Sequence, residues 1–276
     1  MKLGYSTWGM PDAPVEEALP RLAAMGYTGV ELTVLPRYTT ALERLDQSAR
    51  GRIRELLGAL PMDLPAIAGH TSLLDEDPEI HAANLARLRA TVDLAVDLAG
   101  EGAPAVINTT AGGRPGEWEC VRERLAETVG ALAVDAARRG VILAIEPHAG
   151  TALNTPERTL WLLNAVRSPA VKVNLDNSHF DAIGMPVEEY VAALAPHSVH
   201  VHVKDVRGRA PDHEFLLPGE TDYDYPRFLR LMHAHGYDGY ITVEASVMVQ
   251  RRPGYDPYAA AAFGYRTLAW AFAAAF

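Results

Sequence analysis

Three acidic residues and one histidine close, or nearly close, four short apolar segments in the second half of the chain. These residues are Glu146, Asp176, His202 and Glu244. Short apolar runs of this kind are typical of buried strands. If the strands are parallel, their carboxyl ends meet at one edge of the sheet, so we expect the four side chains to share one rim.

Side chains alternate along a strand, and this alternation predicts which way each residue faces. Ile142, Ala144 and Glu146 share one face of their segment, whereas the residues between them are all apolar. In the segment of His202, Val199 begins the opposite, apolar face. We expect the apolar faces to pack against helices and the mixed faces to point into a barrel.

Three clustered carboxylates repel one another and lose hydration, which favours protonation of at least one of them. A divalent cation removes this cost. Oxygen ligands with one imidazole suit Mn²⁺, our first choice, and also Mg²⁺, Co²⁺ or Zn²⁺. The sequence therefore predicts one metal ion held by Glu146, Asp176, His202 and Glu244, and no organic cofactor.

The elements that must position these residues alternate along the chain as strands and helices. Eight alternating units predict a single (β/α)8 TIM barrel over residues 1–276. A doubly wound open sheet is the rival fold, but it would require a glycine-rich phosphate fingerprint after strand one, which residues 6–10 do not supply. The predicted strands are 3–8, 29–34, 64–68, 105–108, 141–146, 171–176, 199–204 and 240–244, and 205–222 and 246–256 are predicted as long loops.

Composition narrows the function class. The formal net charge of −10 argues against a general nucleic-acid binder. No secretory signal or bilayer-spanning run is visible, and Cys120 is the only cysteine. We expect a cytoplasmic protein with no nucleic-acid or membrane partner.

At these residues the sequence resembles the sugar isomerase/epimerase superfamily of xylose-isomerase-like barrels. The resemblance covers nearly the whole chain and implies that Glu146, Asp176, His202 and Glu244 are the metal ligands. It also implies that Glu146 and Glu244 transfer the proton in isomerisation or epimerisation of a ketose or keto-sugar through an enediolate. The segments that carry it are 29–32, 145–148, 176–179, 200–205 with Arg207, 218–220 and 236–244.

Further site residues follow from the resemblance and from position. His179 and Arg207 resemble the substrate-binding histidine and arginine of the family. His148 lies two residues after Glu146 and is a candidate for catalysis. His70, Trp8 and Lys204 lie at or just after predicted strand ends and are candidates for substrate contact. One departure is that 149–153 lacks the additional acidic residue usual in ketose 3-epimerases.

A weaker resemblance is to the larger subunit of bacterial C-glycoside deglycosidases, based on residues 215–220 and 243–253. It implies metal-assisted elimination of the aglycone from a 3-keto C-glycoside, together with a small partner subunit. His148 would be a reasonable general base there, because an unperturbed imidazole titrates near neutrality.

Two other readings are open. His70, His179, His202 and His213 suggest the abasic-site endonuclease branch, although the acidic composition argues against it. A non-catalytic barrel that only binds a partner is the last alternative. The apolar final helix, with Tyr265, Leu268, Trp270 and Phe272, suggests contact between subunits of a homo-oligomer.

Overall fold

The structure is a computed structural model that describes residues 1–99 and 105–276. It contains ten strands: β1 Lys2–Ser6, β2 Gly29–Thr33, β3 Asp63–Ala68, β4 Ala105–Thr110, β5 Val141–Glu146, β6 Val171–Asp176, β7 Ser198–Val203, β8 Asp205–Arg209, β9 Asp212–Leu216 and β10 Tyr240–Val243. Its α-helices are α1 Val15–Met25, α2 Gln47–Ala59, α3 Pro78–Leu98, α4 Trp118–Arg138, α5 Pro156–Val166, α6 Asn177–Ala182, α7 Val187–Leu194, α8 Tyr225–Ala234, α9 Val247–Gln250 and α10 Pro257–Ala275.

Eight of the strands form a closed parallel barrel in the order β1-β10-β7-β6-β5-β4-β3-β2. The predicted (β/α)8 fold is therefore confirmed. The outer faces of the strands are apolar and pack on the helices, as Leu143 and Ile145 of β5 do. In this architecture the carboxyl ends of all eight strands meet at one mouth.

Local sequence signals explain where several helices begin. Asp77 accepts hydrogen bonds from the backbone N–H groups of Glu79 and Ile80, and Pro78 takes the first position of α3. Thr155 and Pro156 play the same parts for α5. These caps satisfy N–H groups that have no partner inside the helix.

The structure differs from the predicted loops at two places. Residues 205–222 contain the antiparallel hairpin of β8 and β9, which pairs Asp205 with Leu216. Residues 246–256 contain the single-turn helix α9, capped by Ser246. Both elements lie at the mouth of the barrel, after β7 and β10. They were missed because each strand or helix has only four or five residues, too few to show a hydrophobic period.

Two strands carry an extra residue. In β3 the pairing shifts around Leu64 and Pro65, where proline cannot donate to the ladder. In β7 the pairing with β6 shifts so that Val199 is the additional residue. Val199 packs against Ala144 inside the barrel, so the prediction that it faces the helices was wrong. His200 and His202, beyond the bulge, both face inward as predicted.

Within the described ranges, no helix is both long and apolar enough to cross a membrane.

Candidate active site at the mouth of the barrel

Four neighbouring strands deliver the predicted ligands to one rim. Glu146 ends β5, Asp176 ends β6, His202 lies in β7, and Glu244 directly follows β10. All four are buried, and none is more than 4% exposed. The parallel closure of the barrel therefore brings together residues that are up to 98 positions apart, counted from Glu146 to Glu244.

The four residues fall into two overlapping groups. Asp176, His202 and Glu244 each offer one ligand atom within 4.8 Å of the others, and so do Glu146, Asp176 and His179. His202 Nδ1 lies 4.0 Å from a carboxylate oxygen of Glu146 and 4.0 Å from one of Glu244. Asp176 belongs to both groups and so links Glu146 to His202 and Glu244 on the rim.

Lys204 lies inside this group rather than beside it. Its ammonium pairs with Asp176 Oδ2 and with Glu244 Oε2, and the residue is 3% exposed. Burial opposes ionisation of both carboxyls, but the charge of Lys204 acts together with nearby histidines, including His202 in both cases, and the net effect lowers the pKa of both. Burial also works against the lysine charge, yet the surrounding carboxylates raise the pKa of Lys204. The predicted inward direction of Lys204 is what the structure shows.

Glu146 differs electrostatically from the other two acids because Lys204 does not pair with it. Burial raises the pKa of Glu146 to about 7, against the opposing effect of His70 and His202. Its Oε2 lies 3.5 Å from His70 Nδ1, and its Oε1 lies 3.2 Å from His179 Nε2. His70 and His179, both predicted as substrate contacts, therefore lie at the rim.

The ring of His148 lies against that of His179 above the rim, with centroids 3.7 Å apart and planes tilted by 39°. Its Nδ1 accepts a hydrogen bond of 3.0 Å from the backbone N–H of Gly150. Burial and the neighbouring His179 and Lys204 lower the pKa of His148 well below its usual value. The ring is therefore neutral and carries its proton on Nε2, which is a hydrogen-bond donor. The catalytic role predicted for His148 stays a prediction.

Aromatic side chains form the wall of the mouth. Trp8 packs edge-on against His70, with centroids 5.2 Å apart, and is half-buried. Phe215 of the β8–β9 hairpin packs edge-on against His179 at 5.0 Å. The Lys204 ammonium lies 5.5 Å from the Phe215 ring centroid. The hairpin that was not predicted thus supplies one wall of the candidate site.

Arg207 is the predicted substrate contact that the structure places away from the rim. It lies in β8, its side chain is 66% exposed, and it pairs with Glu214 of β9 at 3.3 Å. Its predicted role in binding substrate is not supported by a contact with the rim and stays a prediction.

Sequence reasoning missed a polar layer directly beneath the rim. Glu31 in β2 is fully buried, and its Oε2 lies 2.8 Å from His202 Nε2 and 3.0 Å from His200 Nε2. Asn174 in β6 lies 3.2 Å from His202 Nδ1. The signal was present in β2, where Glu31 lies between the apolar residues Val30 and Leu32. An isolated buried acid of this kind requires a partner.

The donor set fits a divalent cation. It combines carboxylate oxygens with one imidazole nitrogen, which Mn²⁺, Mg²⁺, Co²⁺ and Zn²⁺ all accept. Among the described residues, His70 Nε2, His179 Nδ1 and Asn174 Oδ1 are buried and have no hydrogen-bond partner. These atoms leave polar capacity at the rim that a bound polar molecule could use.

Comparison with known proteins agrees with this architecture. The family described as Xylose isomerase-like TIM barrel matches residues 19–263. The rhizopine catabolism protein MocC of Rhizobium meliloti is 29% identical over 266 residues, which cover 85% of this chain and 75% of that protein. Fructoselysine 3-epimerase of Shigella flexneri is 24% identical and covers 92% of this chain and 93% of its own.

Another relative is named as a dehydratase. Inosose dehydratase of Clostridium perfringens is 26% identical over 144 residues, and the match spans about half of each chain, 47% in both cases. Among solved structures, the IolI protein with a bound zinc atom superposes with a TM-score of 0.82 at 18% identity, over 100% of this chain and 99% of that one. This last likeness shows a shared fold.

Proposed function

The chain belongs to the xylose isomerase-like TIM barrel family, and we propose that it is a metal-dependent enzyme acting on a ketose or keto-sugar. The reaction we assign to it first is isomerisation or epimerisation through an enediolate. The observation that carries this proposal is the convergence of Glu146, Asp176, His202 and Glu244 on one buried rim. The names of the fructoselysine epimerase and inosose dehydratase relatives support carbohydrate chemistry next to a carbonyl.

The proposed chemistry begins with removal of a proton from the carbon next to the substrate carbonyl. A divalent cation held by Glu146, Asp176, His202 and Glu244 would supply polarisation of that carbonyl. Either Glu146 or Glu244 takes the proton, and the electron pair of the broken C–H bond moves toward the carbonyl oxygen. Return of the proton to the other face of the same carbon gives the epimer. Its return to the former carbonyl carbon, with the hydroxyl proton of the first carbon moving to the former carbonyl oxygen, gives the isomer.

The histidines have a separate part in this proposal. His148 Nε2–H is a neutral donor, and it can hydrogen-bond to an oxygen that gains negative charge during the reaction. His179 holds one oxygen of Glu146 at 3.2 Å and so limits the directions in which that carboxylate can turn. Trp8 and Phe215 would exclude water from either side of the sugar.

Proton exchange tests the proposal directly. The protein, supplied with Mn²⁺, is incubated in D₂O with a panel of ketoses, keto-cyclitols and keto-glycosides, and deuterium at the carbon next to the carbonyl is measured by NMR. We expect exchange in the wild type and a loss of about 10²–10⁴-fold in Glu146→Gln and Glu244→Gln. Glu157→Gln, an exposed acid in the first turn of α5, is the matched control and should exchange normally.

If no substrate in the panel exchanges in the wild type, or if both rim variants exchange as fast as the control, the proposed chemistry is wrong. An intact epimer with deuterium at one carbon identifies epimerisation. A deuterated aldose–ketose pair identifies isomerisation.

Elimination from a 3-keto C-glycoside is the second candidate. The two segments that carried that resemblance lie against each other at the mouth: Arg252 pairs with Glu220 at 2.7 Å, and Met248 Sδ accepts from the Phe215 N–H at 3.3 Å. Together they form one wall beside the rim, where an aglycone would have to lie. Release of a free aromatic aglycone in the same assay would favour this candidate, and interconversion of free ketoses without such release would exclude it.

The proposal also includes the molecules that this chain binds. We expect a small-molecule sugar or glycoside as substrate. Association of two copies, or of this chain with a small subunit, stays a prediction. Trp270 and Phe276 of the final segment are 65% and 66% exposed and are the residues to replace when the mass in solution is measured.

A further inference from the structure

Glu31 is a fully enclosed acid beneath the rim. Its side chain is fully buried in β2, and its Oε1 accepts a hydrogen bond from the Ser6 hydroxyl. Its Oε2 accepts from the Asn108 amide and lies 3.0 Å from His200 Nε2 and 2.8 Å from His202 Nε2. Donors from β1, β4 and β7 therefore surround a single carboxylate.

This arrangement decides which nitrogen of His202 reaches the rim. Nε2 points down toward Glu31, so Nδ1 is the nitrogen that lies 4.0 Å from Glu146 and from Glu244. Turning the ring over about its Cβ–Cγ bond would put Cδ2 where Nδ1 lies and Cε1 where Nε2 lies, so neither nitrogen would keep its place. It would also separate Nε2–H from the carboxylate and leave Glu31 with one donor fewer in a site without water access, which is costly.

We propose that Glu31 is a positioning residue that holds His202 with its proton on Nε2, so that Nδ1 is the atom offered to a divalent cation. This inference rests on the cation of the proposed function. It does not depend on which sugar is the substrate or on whether the reaction is an epimerisation or an elimination.

A merely structural role for Glu31 would have a different signature. If the carboxylate served only to satisfy the Ser6 hydroxyl and the Asn108 amide, its loss would lower stability and leave the coordination of a bound cation unchanged. A positioning role changes the cation site itself, because an imidazole whose distal N–H is held by a carboxylate is both fixed in orientation and more basic.

The chain offers a matched pair of variants for this test. Glu31→Gln keeps the size of the side chain and removes the charge that holds His202. Ser6→Ala removes a hydrogen bond to the other oxygen, Oε1, and leaves the contact between Oε2 and His202 untouched. Both substitutions disturb the same buried layer, so a general loss of packing should affect them alike.

Co²⁺ is the probe. Its affinity is measured by calorimetry, its visible absorption reports the ligand geometry, and the NMR signal of an exchangeable imidazole N–H shifted by the metal reports His202 Nε2–H. We expect Glu31→Gln to bind Co²⁺ about 10–100-fold more weakly. Its spectrum should be altered, and its N–H signal should be lost through exchange with solvent. Ser6→Ala should keep the wild-type spectrum and the N–H signal.

Equal affinity and equal spectra for wild type and Glu31→Gln overturn the proposal while leaving the proposed function standing. If the wild type binds no Co²⁺, the chain has no cation site, and both this proposal and the proposed function are wrong. If Glu31→Gln does not fold, Glu31→Asp is used instead. Its carboxylate is one methylene shorter, so we expect weaker binding than in Ser6→Ala, and wild-type binding by Glu31→Asp would count against the proposal.

Discussion

Asp181 shows at the scale of a single residue how burial controls charge in this protein. It lies in α6, where its carboxylate accepts from Asn177 Nδ2 at 2.9 Å and from the Tyr190 hydroxyl at 3.4 Å. Burial raises its pKa to about 7, despite the hydrogen bond from Asn177, and the nearby Asp176 acts in the same direction as burial. Arg209 opposes this rise, but among the described residues no cation pairs with Asp181 as Lys204 does with Asp176.

A stability measurement follows from that pKa. Because the pKa of Asp181 in the folded state lies above its ordinary value of 3.8, ionisation favours the unfolded chain. Its contribution to stability is complete below about pH 4 and is lost as the pH rises through about 7. We expect Asp181→Asn to match the wild type near pH 4, to gain on it as the pH rises to about 7, and to exceed it by on the order of 4 kcal/mol at pH 8.

Urea unfolding of both proteins at pH 4, 5, 6, 7 and 8 measures this difference, with EDTA present throughout. Asp222→Asn, which changes an exposed carboxylate, is the control and should follow the wild type at every pH. A difference between Asp181→Asn and wild type that does not grow with pH would contradict the expectation.

Residue positions at the rim were predictable to different degrees. Glu146, Asp176, His202 and Glu244 could be placed because strand ends are visible in sequence and parallel strands end together. Glu31 could not be assigned a role, because its partners come from three other strands and become its neighbours only in the closed barrel.

At the scale of elements, the β8–β9 hairpin is anchored to the barrel by one carboxylate. Asp205 accepts hydrogen bonds from the N–H groups of Gly219 and Thr221 at 3.0 and 2.7 Å. It also accepts from the hydroxyls of Thr221 and Tyr225 at 2.9 and 2.6 Å. The start of β8 is thereby tied to the segment that leads into α8, and this tie holds Phe215 over the rim.

Asp205→Ala should release this segment. Four donors lose their acceptor at once, and we expect a loss of about 3 kcal/mol of unfolding free energy. Protease cleavage within 217–222 should become faster, because the backbone there loses two of its bonds. Thermal unfolding and limited proteolysis measure the two effects, with Asp222→Ala as the control in the same segment. An unchanged cleavage pattern would show that the hairpin is held by its packing alone.

Elements were predicted well where they are long and poorly where they are short. The period of apolar residues in α3 and α4 is visible over 21 residues in each case. The hairpin strands have five residues each, and one turn of α9 has four. Their place is decided by contacts such as Arg252 with Glu220, which link segments far apart in sequence.

At the scale of the whole molecule, the rim joins four neighbouring strands, which all come from the second half of the chain. A cation bound by Glu146, Asp176, His202 and Glu244 would link β5, β6 and β7 to the segment after β10. Anything that binds the folded chain and not the unfolded chain stabilises the fold by mass action.

Thermal unfolding should therefore respond to metal. At a Mn²⁺ concentration about 100-fold above Kd we expect a gain of about 2.7 kcal/mol. This corresponds to a rise in Tm of roughly 5–10 °C for a chain of this size. Excess EDTA should reverse the rise, and Glu244→Gln should show little of it. The exposed-acid variant Glu157→Gln should respond as the wild type does, and an equal response in Glu244→Gln would place the cation elsewhere.

The extra residue in β7 has a consequence for how this strand can change in length. Successive side chains of a strand point to opposite faces. Loss of one residue therefore normally turns every side chain on one side of the deletion to the other face. At the bulge, the two successive residues Val199 and His200 both point into the barrel. Deleting Val199 would shorten the strand and leave His202 facing inward, whereas deleting Val201 would turn His200 or His202 toward the helices. Because of this bulge, β7 could lose one residue below the rim without changing which of its side chains line the mouth.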